Sequence, residues 1–348
     1  VSRIKTLRIQ HLRSHTKHQA ALAEGVTVIT GPNGSGKTTL LEALFIALQG
    51  TSFRGSDKEI LQQDSPWWRI ILSFDETDDR TVTFDPARPT KRKQFTIDGK
   101  TSGRLAPKDK FPVILFEPED LRLLNGSPAR RRTFIDRLIT QLNPFYGTTL
   151  RKYERALKQR NNLLKRARFS QDELFTWNIS LAEHGAYIIE QRIAYTEQLN
   201  RDLTDAYRDI ARTTDDISVH YSYTVVGDIR QRLLDDLMTS QERDAYLGST
   251  SVGPHRHDLL FSFNGQPATT VASRGEIRTI VLALKFLEVA ITETLTGKKP
   301  LILLDDVFSE LDTDRQQALS SRTKEYQIVM TSTHVVSNDA SFTHIELS

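Results

Sequence analysis

A chain of 348 residues, 38% hydrophobic and 26% charged, can bury a full core, which excludes a disordered or low-complexity protein. Its 47 basic and 44 acidic side chains leave a formal charge of only +3, so any contact with nucleic acid must come from where the charges sit. The absence of cysteine excludes disulfides, thiolate nucleophiles and zinc–thiolate sites. No run approaches the roughly 18 apolar residues of a membrane span. The polar alternation of Val1–Ile9 is unlike a signal peptide, so the expected location is the cytoplasm, with no membrane partner.

Leu7, Ile9 and Leu12 begin a half-buried strand, and the β-branched run Gly25–Thr30 predicts a second that stops at Gly31. A helix over Lys37–Gln49 follows, with Leu40, Leu41, Leu44, Phe45 and Leu48 as its apolar face and Gly50 ending it. Strands are predicted at Trp68–Phe74, Thr81–Phe84 and Gln94–Ile97, the last entering an Asp98-Gly99 turn. Val113–Phe116 is a buried strand cut off by Glu117-Pro118. From Pro128 to about Ala211 the strand signal fades. Leu150, Tyr153, Leu157 and Leu164 mark one amphipathic helix; Ile188, Tyr195, Leu199, Leu203, Tyr207 and Ile210 mark a longer one. Strand character returns at Ser218–Val226 and Leu259–Phe263. A long helix (Glu276–Leu295), a buried strand (Leu301–Leu304), a helix and a last strand (Gln327–Thr331) close the chain. This texture predicts a mixed α/β domain over residues 1–117 and 215–348, interrupted by a helical domain over 118–214.

Gly31-Pro32-Asn33-Gly34-Ser35-Gly36-Lys37-Thr38, followed by Thr39, is a complete P-loop between a predicted strand and a predicted helix. The glycines let backbone N–H groups curl around phosphates, and the helix N-terminus favours the anion. In this pattern Lys37 reaches the β/γ-phosphates and Thr38 ligates Mg²⁺. The alternative, a glycine turn that only caps a helix, leaves the second motif unexplained. Leu301-Ile-Leu-Leu-Asp305-Asp306 carries two carboxylates to the C-terminal end of a buried strand, where ligands bind in α/β sheets. Asp305 is expected to hold the metal, directly or through water, and Asp306 to position the attacking water; the competing role is capping of the next turn.

Ser273-Arg-Gly-Glu276 heads the long helix. In ABC-type ATPases a Ser-x-Gly-Gln/Glu element reaches across a dimer to the γ-phosphate of the partner's nucleotide, a task for Ser273 and the Gly275 amide. Ser-x-x-Glu is equally a capping box, and the two readings are compatible. The order P-loop, Ser-x-Gly-Glu, long helix, Asp-Asp strand and Ser309-Glu-Leu-Asp312 favours the ABC reading, with Lys37, Asp305, Asp306 and Ser273 as the catalytic set.

Six stretches together resemble the RecF family across essentially the whole chain: Gly31–Thr39, Phe116-Glu-Pro-Glu-Asp-Leu121, Gly126-Ser-Pro-Ala-Arg-Arg-Arg132, Gly253-Pro-His-Arg-His-Asp258, Ser273–Glu276 and Leu303–Asp312. The second, third and fourth are scarcely found outside that family. The resemblance implies an α/β, ABC-type P-loop ATPase head with mixed sheets, similar to SMC heads, and a helical domain inserted near Pro118–Asp120. It implies ATP and Mg²⁺ as cofactors, slow hydrolysis, and an ATP-dependent homodimer. It further implies binding to double-stranded DNA, work with RecR, and help in loading RecA at gaps. Under it the signature serine is Ser273, the D-loop is Ser309–Asp312, the Walker acids are Asp305 and Asp306, and Arg13 lies near the nucleotide. His15 departs from the family's usual aromatic, His257 from its usual aspartate, and His334 from the place where ABC ATPases present a histidine; Thr331 marks the strand end instead. The cluster His255, Arg256 and His257 reads as a packed loop and strand start rather than a metal or acid–base site.

The charges are unevenly placed. Between Gly126 and Ser170 twelve Lys/Arg residues face two acids, Asp136 and Glu154. Arg151, Lys152, Arg155 and Lys158 are the expected contacts to duplex phosphates, because basic residues at helical spacing track a backbone without reading bases. Arg88, Lys91, Arg92 and Lys93 form a smaller basic loop. Two other classes remain open at this level: a transport-type ABC domain, which the basic region does not fit, and an SMC-like clamp with negligible hydrolysis.

Overall fold

The computed structural model describes residues 3–75, 79–166, 169–308, 311–322, 324–333 and 342–347. The chain runs through β1 (Ile4–Leu12), β2 (His15–Ala21), β3 (Val26–Thr30), α1 (Lys37–Gln49), β4 (Trp68–Phe74), β5 (Arg80–Phe84), β6 (Lys93–Ile97), β7 (Lys100–Ser102) and β8 (Val113–Phe116). It continues through α2 (Pro128–Leu142), α3 (Pro144–Leu164), α4 (Gln171–Ala211), β9 (Ile217–Tyr221), α5 (Ile229–Thr239), α6 (Gln241–Leu247), β10 (Leu259–Phe263), β11 (Gln266–Pro267) and α7 (Ala268–Val271). It ends with α8 (Arg274–Thr296), β12 (Leu301–Leu304), α9 (Thr313–Arg322), β13 (Ile328–Ser332) and β14 (Thr343–Glu346). Among the described residues no helix is long and apolar enough to cross a membrane.

Two compact units divide the chain, Val1–Asp120 with Glu288–Ser348, and Leu121–Leu287. These units divide at 120/121 and 287/288, where the sequence texture places its domain divisions at 117/118 and 214/215. The second shift is large because the strands after residue 215 are bound to the helices. Asn200 of α4 donates to Val219 O (2.6 Å) and accepts from Val219 N–H (2.8 Å). Thr204 does the same for Ile217, at 2.8 and 3.2 Å. Helix side chains thus occupy the edge of β9 that its sheet, ordered β11-β10-β9, leaves unpaired.

In the first unit a five-stranded sheet ordered β14-β3-β13-β12-β8 is parallel throughout. Val113–Phe116 and Leu301–Leu304 are buried at every position, as strands covered on both faces must be. A six-stranded antiparallel sheet is ordered β2-β1-β4-β5-β6-β7. Helix α1 packs against strands of both sheets. The single apolar face predicted for it is therefore too narrow: Thr39, Ala43, Ile46 and Ala47 are buried as well. At the predicted β6–β7 turn Asp98 and Gly99 both have positive φ, 50° and 73°, the signature of the tight hairpin turn. β2 and β14 were not predicted. β2 buries only Ala20 among seven residues, and β14 alternates too weakly to separate it from loop.

In the second unit α3 and α4 pack closely. A Cβ on Gly185 would stand 2.6 Å from Leu233 Cδ2 of α5. The face predicted for α3 is partly corrected. Tyr153 and Leu164 are buried, but so are Tyr146, Thr149, Ala156 and Arg160. Leu150 and Leu157 are half-buried and line, with Arg132, Glu154 and Ile188, a hollow of about 200 Å³. Arg160, counted above among the basic residues, is 0% exposed. It donates to Asp244 Oδ2 and Thr250 Oγ1 (both 2.8 Å), Asn178 Oδ1 (2.7 Å) and Leu237 O (3.3 Å). A buried guanidinium survives only with such a full set of acceptors. Asp244→Ala should cost about 3–5 kcal/mol, the usual penalty for leaving one partner of a buried pair. Urea unfolding of the variant beside the parent checks this, and an unchanged midpoint would mean that the pair is not needed for folding.

Candidate nucleotide site

The site belongs to the first unit and is built where β3 turns into α1. Gly31, Gly34 and Gly36 have φ of 155°, 90° and 92°. A Cβ on Gly36 would strike His15 Nε2 and Ser14 Oγ, so the β1–β2 turn closes against the loop and only glycine fits. Gly36 caps α1 without a side-chain hydrogen bond and takes one from Thr39 N–H to its carbonyl (3.0 Å), and the helix N-terminus there favours an anion. Lys37 Nζ folds back to donate to Gly31 O (2.8 Å) and Pro32 O (3.1 Å), with the residue 5% exposed.

The acidic strand meets this loop through hydroxyl groups. Thr38 Oγ1 donates to Asp305 Oδ1 at 2.8 Å, and Thr331 Oγ1 donates to the same oxygen at 2.9 Å. Asp306 N–H donates to Thr331 Oγ1 at 2.9 Å, and Asp305 N–H to Phe116 O at 2.9 Å. Asp306 adopts a left-handed backbone, φ 53°. Burial holds its carboxyl above the usual carboxylate range; the Lys37 ammonium opposes this and the Asp305 carboxylate adds to it.

A wall of the site comes from the β1–β2 turn. Arg13, at φ 48°, forms a two-pronged ion pair with fully buried Glu42 of α1, at 2.5 and 2.9 Å. Ser52 Oγ donates to the same carboxylate. His15 Nε2 lies 3.2 Å from Gly36 O; a carbonyl only accepts, so Nε2 carries the proton. Neither Glu42 nor the P-loop contact of His15 was anticipated. The available signal was an acid inside the apolar run Leu40-Leu-Glu-Ala-Leu-Phe45, which demands a buried partner.

The residues present fit a nucleoside triphosphate with Mg²⁺. Among the described residues no group of three His, Asp or Glu side chains can hold a metal. Mg²⁺ asks for less, since it takes one or two protein oxygens together with substrate phosphates and water. Thr38 and Asp305 are such oxygens, already in contact. When bound, the ion neutralises charge on the phosphate oxygens.

Ser273 and Gly275 belong to the second unit. There Glu276 N–H donates to Ser273 Oγ (3.3 Å) and Ser273 N–H to Glu276 Oε2 (2.6 Å), so the capping box is formed. Ser309, Glu310 and His334 lie outside the described residues. The arginine run at the start of α2 braces its own unit. Arg131 pairs with Asp258 through two bonds of 2.7 Å and caps Leu124 O and Gly126 O at 2.8 Å, while Arg132 donates to His257 O. Arg151, Lys152, Arg155 and Lys158 are exposed on α3, beside Lys165 and Arg166. Arg168 lies outside the described residues.

The model of the RecF/RecN/SMC N-terminal domain matches residues 3–345. The chain is 33% identical over 339 residues to the DNA replication and repair protein RecF of Lachnoclostridium phytofermentans, covering 95% of this chain and 92% of that protein. It is 36% identical over 327 residues to the protein of that name from Streptococcus pyogenes serotype M49, covering 91% and 87%. The chain belongs to the RecF family. A solved structure of the recombination mediator protein RecF with ATPrS, in the RecFOR pathway, superposes with a TM-score of 0.86 at 30% identity over 96% of this chain and 93% of that one. An SMC head bound to the C-terminal winged-helix domain of ScpA is 14% identical with a TM-score of 0.51, over 96% and 90%, and shows the shared fold alone. The α/β, ABC-type P-loop head fold expected from the motifs is thereby established.

His255 and His257, of the stretch Gly253–Asp258, sit inside the second unit. His255 Nε2 faces Thr250 O (3.1 Å) and Nδ1 accepts from Tyr153 OH (2.7 Å), while His257 Nδ1 meets Tyr221 OH (2.9 Å) and its ring stacks on Tyr223. Burial, then nearby arginines, lowers both to about 4. An unfolded histidine titrates near 6.5, so below that pH the unfolded chain takes up protons the folded unit refuses. Stability that is complete above pH 6.5 therefore drains as pH falls toward 4. The urea midpoint should drop between about pH 7.5 and about pH 5, and His255→Gln with His257→Gln should flatten that slope. An equal slope in the double variant would assign the loss to other groups.

Proposed function

We propose that this chain is an ATP-dependent dimerising ATPase that binds double-stranded DNA in recombinational repair and replication, with ATP and Mg²⁺ as cofactors. The observation that carries the reading is the contact of Thr38 with Asp305 at 2.8 Å, with Lys37 buried alongside. It joins the P-loop to an acid strand as phosphoryl-transfer sites require. In this reading the loop Gly31–Thr39 cradles the phosphates with its backbone N–H groups, Pro32 having none, Lys37 turns from Gly31 O and Pro32 O to the β/γ-phosphates, and Thr38 with Asp305 holds the metal. Asp306 positions the attacking water, Arg13 lines the nucleotide's surroundings, and Ser273 with the Gly275 amide completes the site of a second copy. Hydrolysis is slow and times residence on DNA. The proposal extends to partnership with RecR, a functional link to RecA at gaps and a cytoplasmic location, and is supported by membership of the RecF family and by the RecFOR pathway named for a solved relative.

Dimerisation is tested by sedimentation with a non-hydrolysable ATP analogue. The parent should form a nucleotide-induced dimer; Ser273→Arg should bind ATP as a monomer without dimerising, and Lys37→Met should lose ATP affinity. Asp306→Asn should keep ATP and prolong the closed dimer. Normal dimerisation of Ser273→Arg would sink the composite site, and parent-rate hydrolysis by Asp306→Asn would remove that acid from catalysis.

The duplex surface is tested on the exposed α3 residues. Replacing Arg151, Lys152, Arg155 and Lys158 with Gln preserves helix propensity and removes four charges. The salt slope of duplex affinity should fall by about one unit for each side chain that touches phosphate, with little change among duplex sequences. An unchanged slope in a variant that still dimerises with ATP takes α3 out of the footprint.

A further inference from the structure

The geometry points to Thr331 as a positioning residue that sets both acids of the nucleotide site, an inference that rests on reading this site as an Mg²⁺-dependent ATPase. Thr331 lies near the end of β13, is 1% exposed, and follows the apolar pair Val329 and Met330. A buried hydroxyl there is costly unless it is bonded. Its single oxygen makes two contacts: it donates to Asp305 Oδ1 and accepts from the N–H of Asp306, each at 2.9 Å. A hydroxyl has one proton and two lone pairs, so neither bond competes with the other.

The two contacts control different things. The one to Asp306 holds the amide at the point where the chain enters a left-handed conformation, φ 53°, which a side-chain-bearing residue adopts only under local constraint. The direction of the Asp306 carboxylate depends on that turn. The other contact bears on Asp305, whose Oδ1 also accepts from Thr38. A Thr38 hydroxyl recruited as a metal ligand would use an oxygen lone pair and would have to turn its proton to suit the metal's position, whereas the Thr331 bond does not depend on Thr38. Thr331 thus keeps Asp305 oriented through the change from the nucleotide-free to the loaded site.

The test compares Thr331→Val, which keeps shape and strand propensity but removes the hydroxyl, with Thr331→Ser, which keeps the hydroxyl. Affinity for a fluorescent N-methylanthraniloyl ATP is measured with and without Mg²⁺, beside kcat, KM and thermal melting. In the Val variant the Mg²⁺-free affinity should stay within about twofold of the parent. The gain in affinity on adding Mg²⁺ should shrink, and kcat should fall by about tenfold to a hundredfold, the scale set by a lost buried hydrogen bond. The Ser variant should recover most of both.

Parent-like kcat and Mg²⁺ response in the Val variant would overturn the inference, as would a Ser variant as impaired as Val. Loss of Mg²⁺-free affinity together with lowered melting in the Val variant would also overturn it, by assigning Thr331 to packing. A parent that binds the probe but hydrolyses no ATP would refute the ATPase reading instead. The Mg²⁺-dependent binding comparison would then still decide the role of Thr331.

Discussion

One carboxylate oxygen, Asp305 Oδ1, accepts hydroxyl protons from two different elements, Thr38 at the start of α1 and Thr331 at the end of β13. A half-buried carboxylate loses part of its hydration and is held by hydrogen bonds, and here its hydroxyl donors come from the two flanking elements. The sheet order explains why. β3, which delivers the P-loop, and β12, which delivers the acids, are not neighbours; β13 lies between them, and all three strands are parallel. Parallel strands bring their C-terminal ends to one edge, so the residue at the end of β13 necessarily stands between phosphate loop and acids. A hydroxyl at that position bonds to both sides; an apolar residue would leave the carboxylate and the Asp306 amide short of partners.

The helical unit solves the opposite problem, too many positive charges for one surface. Arg160, Arg192 and Arg131 are turned inward, each against a carboxylate: Asp244, Asp136 and Asp258. Arg192 adds bonds to Pro254 O and Tyr221 OH, and Tyr146 OH donates to the same Asp136. Desolvating such pairs is expensive, and the multiple acceptors offset that cost while fixing helices, strands and the Gly253–Asp258 loop in one arrangement. What remains on the outer face of α3, at Arg151, Lys152, Arg155 and Lys158, is exposed charge, Arg151 also donating to Thr148 Oγ1 at 3.1 Å.

How much of this was legible depended on whether a residue's partner was near in sequence. The P-loop, the Asp-Asp strand and most strands of the first unit could be read because spacing and local hydrophobicity define them. β2 could not, since His15–Ala21 buries one alanine and is held by pairing with β1 rather than by its own pattern. The unit boundary near 287 was hidden because Asn200 and Thr204 tie β9 to α4, and polar side chains on a long helix look like solvent-facing residues. Arg160 looked like surface charge for the same reason: its carboxylate is Asp244, far along the chain, and α5 and α6 were themselves unpredicted. In the site, Glu42 was visible as a charge in a buried helix, but only the fold reveals Arg13 as its counterion.

Ser273 shows how a structural and a catalytic reading coexist in one side chain. The formed capping box uses a lone pair of the Ser273 hydroxyl, which accepts from Glu276 N–H, and leaves its proton uncommitted to that bond. The contact proposed for a partner's phosphate needs that proton. Capping therefore orients the oxygen by occupying its acceptor side and leaves its donor side outward on an exposed residue. Glu276 reinforces this, because its carboxylate binds the Ser273 amide rather than the hydroxyl. The helix field at the head of α8 favours an approaching anion. A residue chosen only for capping could equally be Asp or Asn, but Asp would repel phosphate; serine meets both demands without adding a charge.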